Sequence, residues 1–194
     1  MGKYIVGITG ASGSIYGIRL IEELLRSGHE VHVIVTDSGK KVMKYETEYD
    51  MCGLLNRLEE HKDRIKTHEI DNLFAATASG SFKTDGMIIM PCSMSTLGEI
   101  SNGVSKNLLG RSADVCLKER RKLIVVPRET PFGTIHLRNM LSLSEAGTVI
   151  LPAMPGFYHK PESLNDTIDF VVGKVLDALD IENNLFKKWG HDEY

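Results

Sequence analysis

The chain has 194 residues, with 23 Lys and Arg against 26 Asp and Glu, so its formal net charge is −3. A chain of this length suits one α/β domain with a substantial core, and its charge excludes a chain-wide attraction to nucleic acid or to anionic membranes. Its three scattered cysteines exclude a disulfide framework and a CxxC metal site. No signal-like segment precedes the first strand and no apolar run could span a bilayer, so we expect a cytoplasmic protein.

The first predicted element is a strand over residues 4–6, followed by a glycine-rich stretch over 7–17 and a helix over 18–25. This arrangement aims the unpaired backbone N–H groups of a helix start at a phosphate, and Ser12 adds a hydroxyl donor. The glycine spacing, G-x-x-G-x-x-G, differs from the G-x-G-x-x-G of dinucleotide binders, and no G-x-x-x-x-G-K-[ST] loop occurs. The alternative is a βα turn that binds nothing.

Further elements follow in chain order. Short apolar runs predict strands over residues 31–36, 86–91, 122–127 and 148–152. Helices are predicted over residues 40–49, from about 97 to 109, from about 112 onward, over 136–145, and over 163–179 with Ser163 as N-cap. Residues 50–72 are predicted as a poorly periodic helix and loop without defined bounds, and residues 75–81 as a loop or a short edge strand.

Strands that alternate with amphipathic helices predict an α/β fold with a doubly wound, Rossmann- or flavodoxin-like parallel sheet between two helix layers. We expect a single domain over residues 1–194, with an extended C-terminal helix and tail over about 180–194. Ligands of such sheets bind beyond the carboxyl ends of the strands. Every predicted strand ends in a polar or glycine-rich segment, so we place the functional site at this edge.

Two hydroxyl-rich turns at this edge, residues 10–12 and 93–96, suit a phosphate and the polar rim of a planar ring. Arg128 directly follows a strand, where its guanidinium could fork onto a phosphate or pair with Glu129. Other side chains stay open between a functional and an ordinary surface or packing role: Arg111, Lys118 and Lys174 for a second anion, Glu46 and Glu129 for proton transfer, and Tyr158. No grouping has metal-ligand spacing. The residues alone therefore predict a phosphorylated planar cofactor with room for a second anionic ligand.

Several motifs occur in order over nearly the whole chain: Gly-Ala-Ser-Gly at 10–13, Pro-Cys-Ser-Met-Ser-Thr at 91–96, and the segments 118–121, 126–131, 136–140 and 152–158. Together they resemble the flavin prenyltransferases of the UbiX/Pad1 type. The resemblance implies transfer of a dimethylallyl group from dimethylallyl monophosphate to reduced FMN, which builds a fourth ring through the flavin N5 and C6 atoms without a metal. Members were long labelled as aromatic acid decarboxylases or as one component of such enzymes, because the product activates a UbiD-type decarboxylase.

The resemblance also implies roles for individual residues. The FMN contacts would be Gly10, Ala11, Ser12, Thr36, Ser93, Met94, Ser95, Thr96 and Arg128. The prenyl phosphate would be held by Lys118, Arg128, Tyr158 and Lys174, with Ser79 and Arg111 nearby. The catalytic residues would be Ser12, Glu46 and Glu129 as a proton relay for ring closure, and Lys118 at the departing phosphate.

Two positions depart from the family pattern. Lys174 stands where the family commonly has Arg, which keeps the charge and loses bidentate geometry, and Ser95 stands where some members carry Lys. The family assembles as a dodecamer whose sites are built from neighbouring subunits, so the resemblance implies a homo-oligomer.

Two other functions remain as alternatives. One is an FMN-dependent decarboxylase acting on a substrate itself, like the cysteine decarboxylases, whose Pro-Ala-Ser-Ala-Asn-Thr motif differs from residues 91–96 here. The other is a flavin-carrying subunit of an aromatic acid decarboxylase, in which Lys118 and Tyr158 would be dispensable.

Overall fold

The computed structural model describes residues 1–190 of the chain. Six strands form the sheet: β1 Lys3–Ile8, β2 Glu30–Val35, β3 Ile65–His68, β4 Gly86–Cys92, β5 Lys122–Pro127 and β6 Val149–Ile150. Seven α-helices lie among the described residues: α1 Ser14–Arg26, α2 Asp37–Thr47, α3 Met51–Arg57, α4 Met94–Ser101, α5 Leu108–Lys118, α6 Thr134–Glu145 and α7 Leu164–Ala178. None of the helices among residues 1–190 is both long and apolar enough to cross a membrane.

The sheet has the order β3-β2-β1-β4-β5-β6, and every neighbouring pair of strands is parallel. Strands β2 and β3 add to one side of β1, and strands β4, β5 and β6 then add to its other side. Strand order therefore reverses between β1 and β4, which creates a crevice beyond their carboxyl ends. This topology confirms the predicted doubly wound α/β fold.

The two faces of the sheet bury separate apolar clusters. On one face, alternate side chains of the strands such as Val6 and Val33 pack with α1, α3 and α7. On the other face, side chains such as Ile5 and Ile34 pack with α4, α5 and α6. Apolar side chains on both sides of each central strand make the three-layer arrangement, because a strand's side chains point alternately to its two faces.

Two details of the element prediction were wrong. The segment 50–72, predicted as helix and loop, contains α3 but also a sixth strand, β3, of which only Ile65 is buried. The helix predicted from about residue 97 to 109 instead begins at Met94 and ends at Ser101, and a new helix begins at Leu108. Gly103 has a positive φ of 67°, which ends the helical conformation after α4. Asn107 then caps α5 by accepting a hydrogen bond from the Gly110 N–H at 2.9 Å.

The start of α7 confirms Ser163 as its N-cap. The Ser163 hydroxyl accepts from the Asp166 N–H at 3.2 Å, and the Asp166 carboxylate accepts from the Ser163 N–H at 2.8 Å. Beyond Ala178, residues 180–190 of the expected C-terminal helix and tail contain no helix, and Phe186 packs closely on Gly173 of α7. The rest of that expected segment, residues 191–194, lies outside the described residues.

Candidate flavin and prenyl-phosphate site

The crevice beyond β1 and β4 is bordered by the two hydroxyl-rich turns that the sequence indicates. The turn after β1 runs through Gly10 and Ser12, and the turn after β4 runs through Ser93 and Thr96. The two strand ends lie side by side, since the Thr9 N–H donates to the Pro91 carbonyl at 3.2 Å. The topology therefore brings both predicted turns to one place.

Glycine at position 10 is required by a close approach between two turns. A Cβ on Gly10 would lie 2.6 Å from the Ser38 hydroxyl oxygen, so the start of α2 packs directly against the first turn. Thr36 caps α2 by accepting from the Gly39 N–H at 3.0 Å, and its hydroxyl lies 3.3 Å from that of Ser38. Ser38 is a candidate flavin contact missing from the predicted set, although its place in the turn after β2 signalled it.

Arg128 links the two sides of the crevice. Its Nε–H donates to the Ser12 carbonyl at 3.1 Å, and its backbone N–H donates to the Cys92 carbonyl at 3.3 Å. The terminal guanidinium nitrogens have no hydrogen-bond partner among residues 1–190. Arg128 therefore presents two donors beside Ser12, in the position from which a guanidinium can bind a phosphate or a ring carbonyl.

The second turn presents hydroxyl groups at the start of α4. Ser93 caps this helix by accepting from the Thr96 N–H at 3.3 Å, and its hydroxyl lies 3.1 Å from that of Thr96. Met94 is half-buried, and Ser95 is exposed with no hydrogen bond of its side chain among the described residues. Together with Arg128 and the close-packed Gly10 turn, these donors fit a phosphorylated planar ligand such as FMN.

Glu46, on α2, holds the start of α1. Its carboxylate accepts from the Gly13 N–H at 2.9 Å and from the Ser14 N–H at 3.0 Å. Gly13 makes the turn possible, because its φ of 104° is unfavourable for residues with a side chain. The helix-start amides predicted to meet a phosphate are thus bound by a carboxylate of the chain itself, which corrects that part of the sequence prediction.

The environment of Glu46 favours its ionised form. Partial burial acts to raise the pKa of the carboxyl, but hydrogen bonds from the Ser12 hydroxyl and from the Gly13 and Ser14 N–H groups outweigh it and leave the pKa below its ordinary value. The Glu46 carboxylate is therefore available as a proton acceptor at the crevice, next to the turn that carries Ser12. Glu129 lies next to Arg128, and its carboxylate accepts from the Thr130 N–H at 3.0 Å.

Three of the predicted phosphate ligands gather along α5 instead of in the crevice. Arg111 donates to the Ala78 carbonyl at 3.1 Å and pairs with Asp114 at 2.6 Å, which ties α5 to the loop that carries Ser79. Gly80 of the same loop lies against the end of α5, where a Cβ would be 3.0 Å from the Lys118 Nζ atom. Lys118 itself pairs with Glu119 at 2.5 Å. We call Ser79, Arg111 and Lys118 the α5 group.

Tyr158 and Lys174 belong to a third part of the structure. The Tyr158 ring is 42% exposed and makes edge-to-face contacts with Phe170 of α7 at 5.6 Å and with Trp189 of the tail at 5.5 Å. Lys174 lies one helical turn beyond Phe170 on α7, exposed, with its Nζ atom 3.8 Å from the Asp177 carboxylate. We call Tyr158 and Lys174 the α7 group.

The structure separates Lys118, at the end of α5, from Arg128 within one chain. Lys118 ends α5 just before β5 begins at Lys122, whereas Arg128 follows the other end of that strand. Six residues of parallel strand span about 20 Å, so Lys118 and Arg128 lie near opposite edges of the sheet. One chain therefore cannot bring these two cations to one phosphate.

Comparisons with known proteins place the chain in a family. A family model described as Flavoprotein matches residues 2–187, which makes the chain a member of this class of α/β flavoproteins. The flavin prenyltransferase UbiX of Halalkalibacterium halodurans is 51% identical over 195 residues, covering 98% of this chain and 95% of its own. That of Methanocaldococcus jannaschii is 50% identical and covers 97% of this chain and 98% of its own. The chain belongs to the flavin prenyltransferase (UbiX) family.

A solved structure agrees with this membership. The crystal structure of a UbiX protein in complex with FMN and dimethylallyl pyrophosphate superposes with a TM-score of 0.92 at 41% identity and covers 99% of both chains. Among residues 1–190 of the present chain, no group of three or more His, Cys, Asp or Glu side chains is placed to hold a metal ion.

Proposed function

We propose that this chain is a flavin prenyltransferase, which transfers a dimethylallyl group from dimethylallyl monophosphate to reduced FMN. The observation that carries the proposal is the crevice at the β1/β4 reversal, where two hydroxyl turns and the free terminal nitrogens of Arg128 converge. The relative with the same fold at 41% identity was solved with both FMN and a dimethylallyl phosphate ester bound. FMN would lie in the crevice against Gly10, Ser12, Thr36 and the 93–96 turn.

The reaction requires the protein to stabilise the departing phosphate and to transfer protons. Breaking an allylic C–O bond leaves a phosphate dianion, which fixed cations stabilise more strongly as its charge develops. Lys118 and Arg111 of the α5 group, Lys174 and Arg128 supply such cations, and the Tyr158 hydroxyl adds a donor. The reduced flavin supplies the electron-rich ring to which the prenyl group becomes bonded.

Ring closure also requires protons to move. Glu46 lies next to the turn that carries Ser12 and its pKa lies below its ordinary value, so the ionised carboxylate is available as a base. Glu129 lies next to Arg128 at the end of β5 and could exchange a proton with the phosphate. We assign Ser12, Glu46 and Glu129 to this relay.

The separation of Lys118 from Arg128 supports a site that is shared between copies of the chain. Each cation of the α5 group has only an exposed or half-exposed acidic neighbour, and such ion pairs are weak enough to be exchanged for a phosphate. A UbiX-like FMN-dependent decarboxylase from Escherichia coli, with a TM-score of 0.90 and 41% identity over 96% of this chain and 98% of its own, is dodecameric. We propose the same assembly here, with each site shared between subunits.

The product would serve a UbiD-type decarboxylase as its cofactor. The three cysteines are free thiols, with Cys92 and Cys116 buried and Cys52 exposed, which suits the reducing conditions of the cytoplasm. We therefore place both the enzyme and the recipient of its product in that compartment.

The test is an anaerobic incubation of the purified protein with reduced FMN and dimethylallyl monophosphate, followed by the mass of the extracted flavin. We expect a gain of one five-carbon prenyl unit. The flavin extracted from Arg128→Gln should show no such increase in mass. Arg26→Gln, a matched change at an exposed arginine of α1, should still produce it. Unmodified FMN recovered from protein that binds it would contradict the proposal and indicate a flavin carrier or a decarboxylase.

A further inference from the structure

Thr9 is buried at the junction between the two turns of the crevice. Its side chain is fully shielded from solvent, so it cannot touch a ligand. Its hydroxyl donates to the Pro91 carbonyl at 2.8 Å and accepts from the Ser93 N–H at 2.8 Å. One oxygen atom thus joins the end of β1 to the residue that opens the second turn.

The partner of Thr9 is the residue that organises the second turn. Ser93 caps α4 through its own hydroxyl, which accepts from the Thr96 N–H and lies 3.1 Å from the Thr96 hydroxyl. A chain of hydrogen bonds therefore runs from Thr9 through Ser93 to the half-buried hydroxyl groups of this turn. The Thr9 hydroxyl therefore adds a direct contact between β1 and Ser93 to the pairing of β1 with β4.

The chemistry of this contact selects a hydroxyl side chain. A hydroxyl donates and accepts through one atom, whereas an aliphatic side chain of the same shape does neither. If the Thr9 hydroxyl were removed, the Pro91 carbonyl would still accept from the Thr9 N–H. The Ser93 N–H, however, would lose its only acceptor among the described residues. An unpaired amide in a half-buried position is unfavourable, so the turn would shift to satisfy it.

We propose that Thr9 is a positioning residue for flavin binding, which holds the 93–96 turn at the correct distance from the Gly10–Ser12 turn. It acts through Ser93 and does not contact the flavin. This inference rests on the proposed function, because it assigns FMN to the crevice between the two turns. It predicts that FMN affinity depends on the Thr9 hydroxyl more than on the shape of the side chain.

The test compares two substitutions by titration of FMN fluorescence. Thr9→Val keeps the branched shape and removes the hydroxyl, and it should raise the Kd for FMN about 5- to 50-fold. Thr9→Ser keeps the hydroxyl and should stay within about 3-fold of the unmodified protein. In prenyl transfer, Thr9→Val should raise the KM for FMN, with kcat restored at saturating FMN.

A control separates positioning from loss of a buried threonine. Thr148 is 4% exposed and its hydroxyl has no hydrogen-bond partner among residues 1–190, so Thr148→Val should leave the Kd unchanged. If Thr9→Val does not fold, Thr9→Ser and Thr9→Ala repeat the comparison, since they differ only by the hydroxyl. Equal FMN affinity with and without the hydroxyl would overturn the inference, as would a Thr9→Ser variant as weak as Thr9→Val. Failure of the unmodified protein to bind FMN would instead overturn the proposed function.

Discussion

Glu46 shows how one carboxylate can serve both structure and chemistry. It accepts from the N–H groups of the N-cap Gly13 and of Ser14 at the start of α1, where a negative charge is favoured by the helix dipole. Its depressed pKa means that this contribution to stability is fully present above the ordinary carboxyl pKa. The contribution is lost as the pH falls through the lower pKa of the folded protein.

We predict that Glu46→Gln separates the two roles. The amide oxygen can still accept from Gly13 and Ser14, so the variant should fold and bind FMN, with stability lowered by about 0.5–1 kcal/mol. Removal of the base should slow formation of the mature prenylated flavin about 100-fold or more in single-turnover mass measurements. Glu48→Gln, a change at an exposed residue beyond the end of α2, should leave the rate unchanged. A wild-type rate in Glu46→Gln would remove Glu46 from the relay.

At the scale of elements, strands β2 and β3 carry a polar cluster that the sequence pattern did not indicate. His32 is 2% exposed, and its two ring nitrogens lie 2.8 Å from His68 and 2.9 Å from Glu30. Lys66 also donates to Glu30, and its hydrogen bond is the main cause that lowers the pKa of Glu30 to about 2. Burial is the main cause that lowers the pKa of both imidazoles, so the folded protein holds them neutral.

This cluster predicts a loss of stability on mild acidification. The unfolded chain binds protons on His32 and His68 more readily than the folded chain. The contribution of these two residues to the free energy of unfolding should therefore be fully present above pH 6.5 and should decrease as the pH falls below that value. Urea unfolding at pH 7.5 and pH 5.5 measures the difference. His32→Gln should lower stability at pH 7.5 and make its pH dependence flatter. An unchanged slope in this variant would show that other groups cause the acid sensitivity.

The same strands show what local sequence could and could not predict. The central strands are long apolar runs, and the carboxyl ends of parallel strands share one edge of the sheet. The order of elements along the chain was therefore enough to predict that Ser12, Ser93 and Arg128 lie at the crevice. Strand β3 carries only one buried side chain and pairs at the sheet edge, so its pattern is too short to distinguish from a loop. The break between α4 and α5 was signalled by Gly103 and the Asn107 cap, which the apolar spacing around them obscured.

At the scale of the molecule, the distribution of cations is the property that local patterns did not reveal. Arg128 faces the crevice, whereas Lys118 lies about one strand length away at the other edge of the sheet, roughly 20 Å. The predicted order of helix, strand and Arg128 already places Lys118 before β5 and Arg128 after it, whereas the roles implied by the family resemblance bring both to one phosphate. The crossover from α5 into β5 keeps the two residues apart within one chain.

This separation predicts that two inactive variants restore each other. Lys118→Gln and Arg128→Gln should each abolish prenyl transfer when prepared alone. When the two are co-expressed and assemble at random, about a quarter of shared sites would combine an intact Lys118 from one subunit with an intact Arg128 from another. We therefore expect roughly a quarter of the wild-type activity in the mixed assembly, measured by the mass of the flavin product.

The matched control uses two variants of the same group. Lys118→Gln mixed with Arg111→Gln removes one member of the α5 group from every subunit, so no shared site recovers an intact group and activity should stay at the level of the single variants. Recovery in the first mixture but not in the second requires that the crevice of one copy meets the α5 group of another. If neither mixture recovers while both assemble normally, each chain must form its site alone, and the α5 cations then have no part in holding the prenyl phosphate.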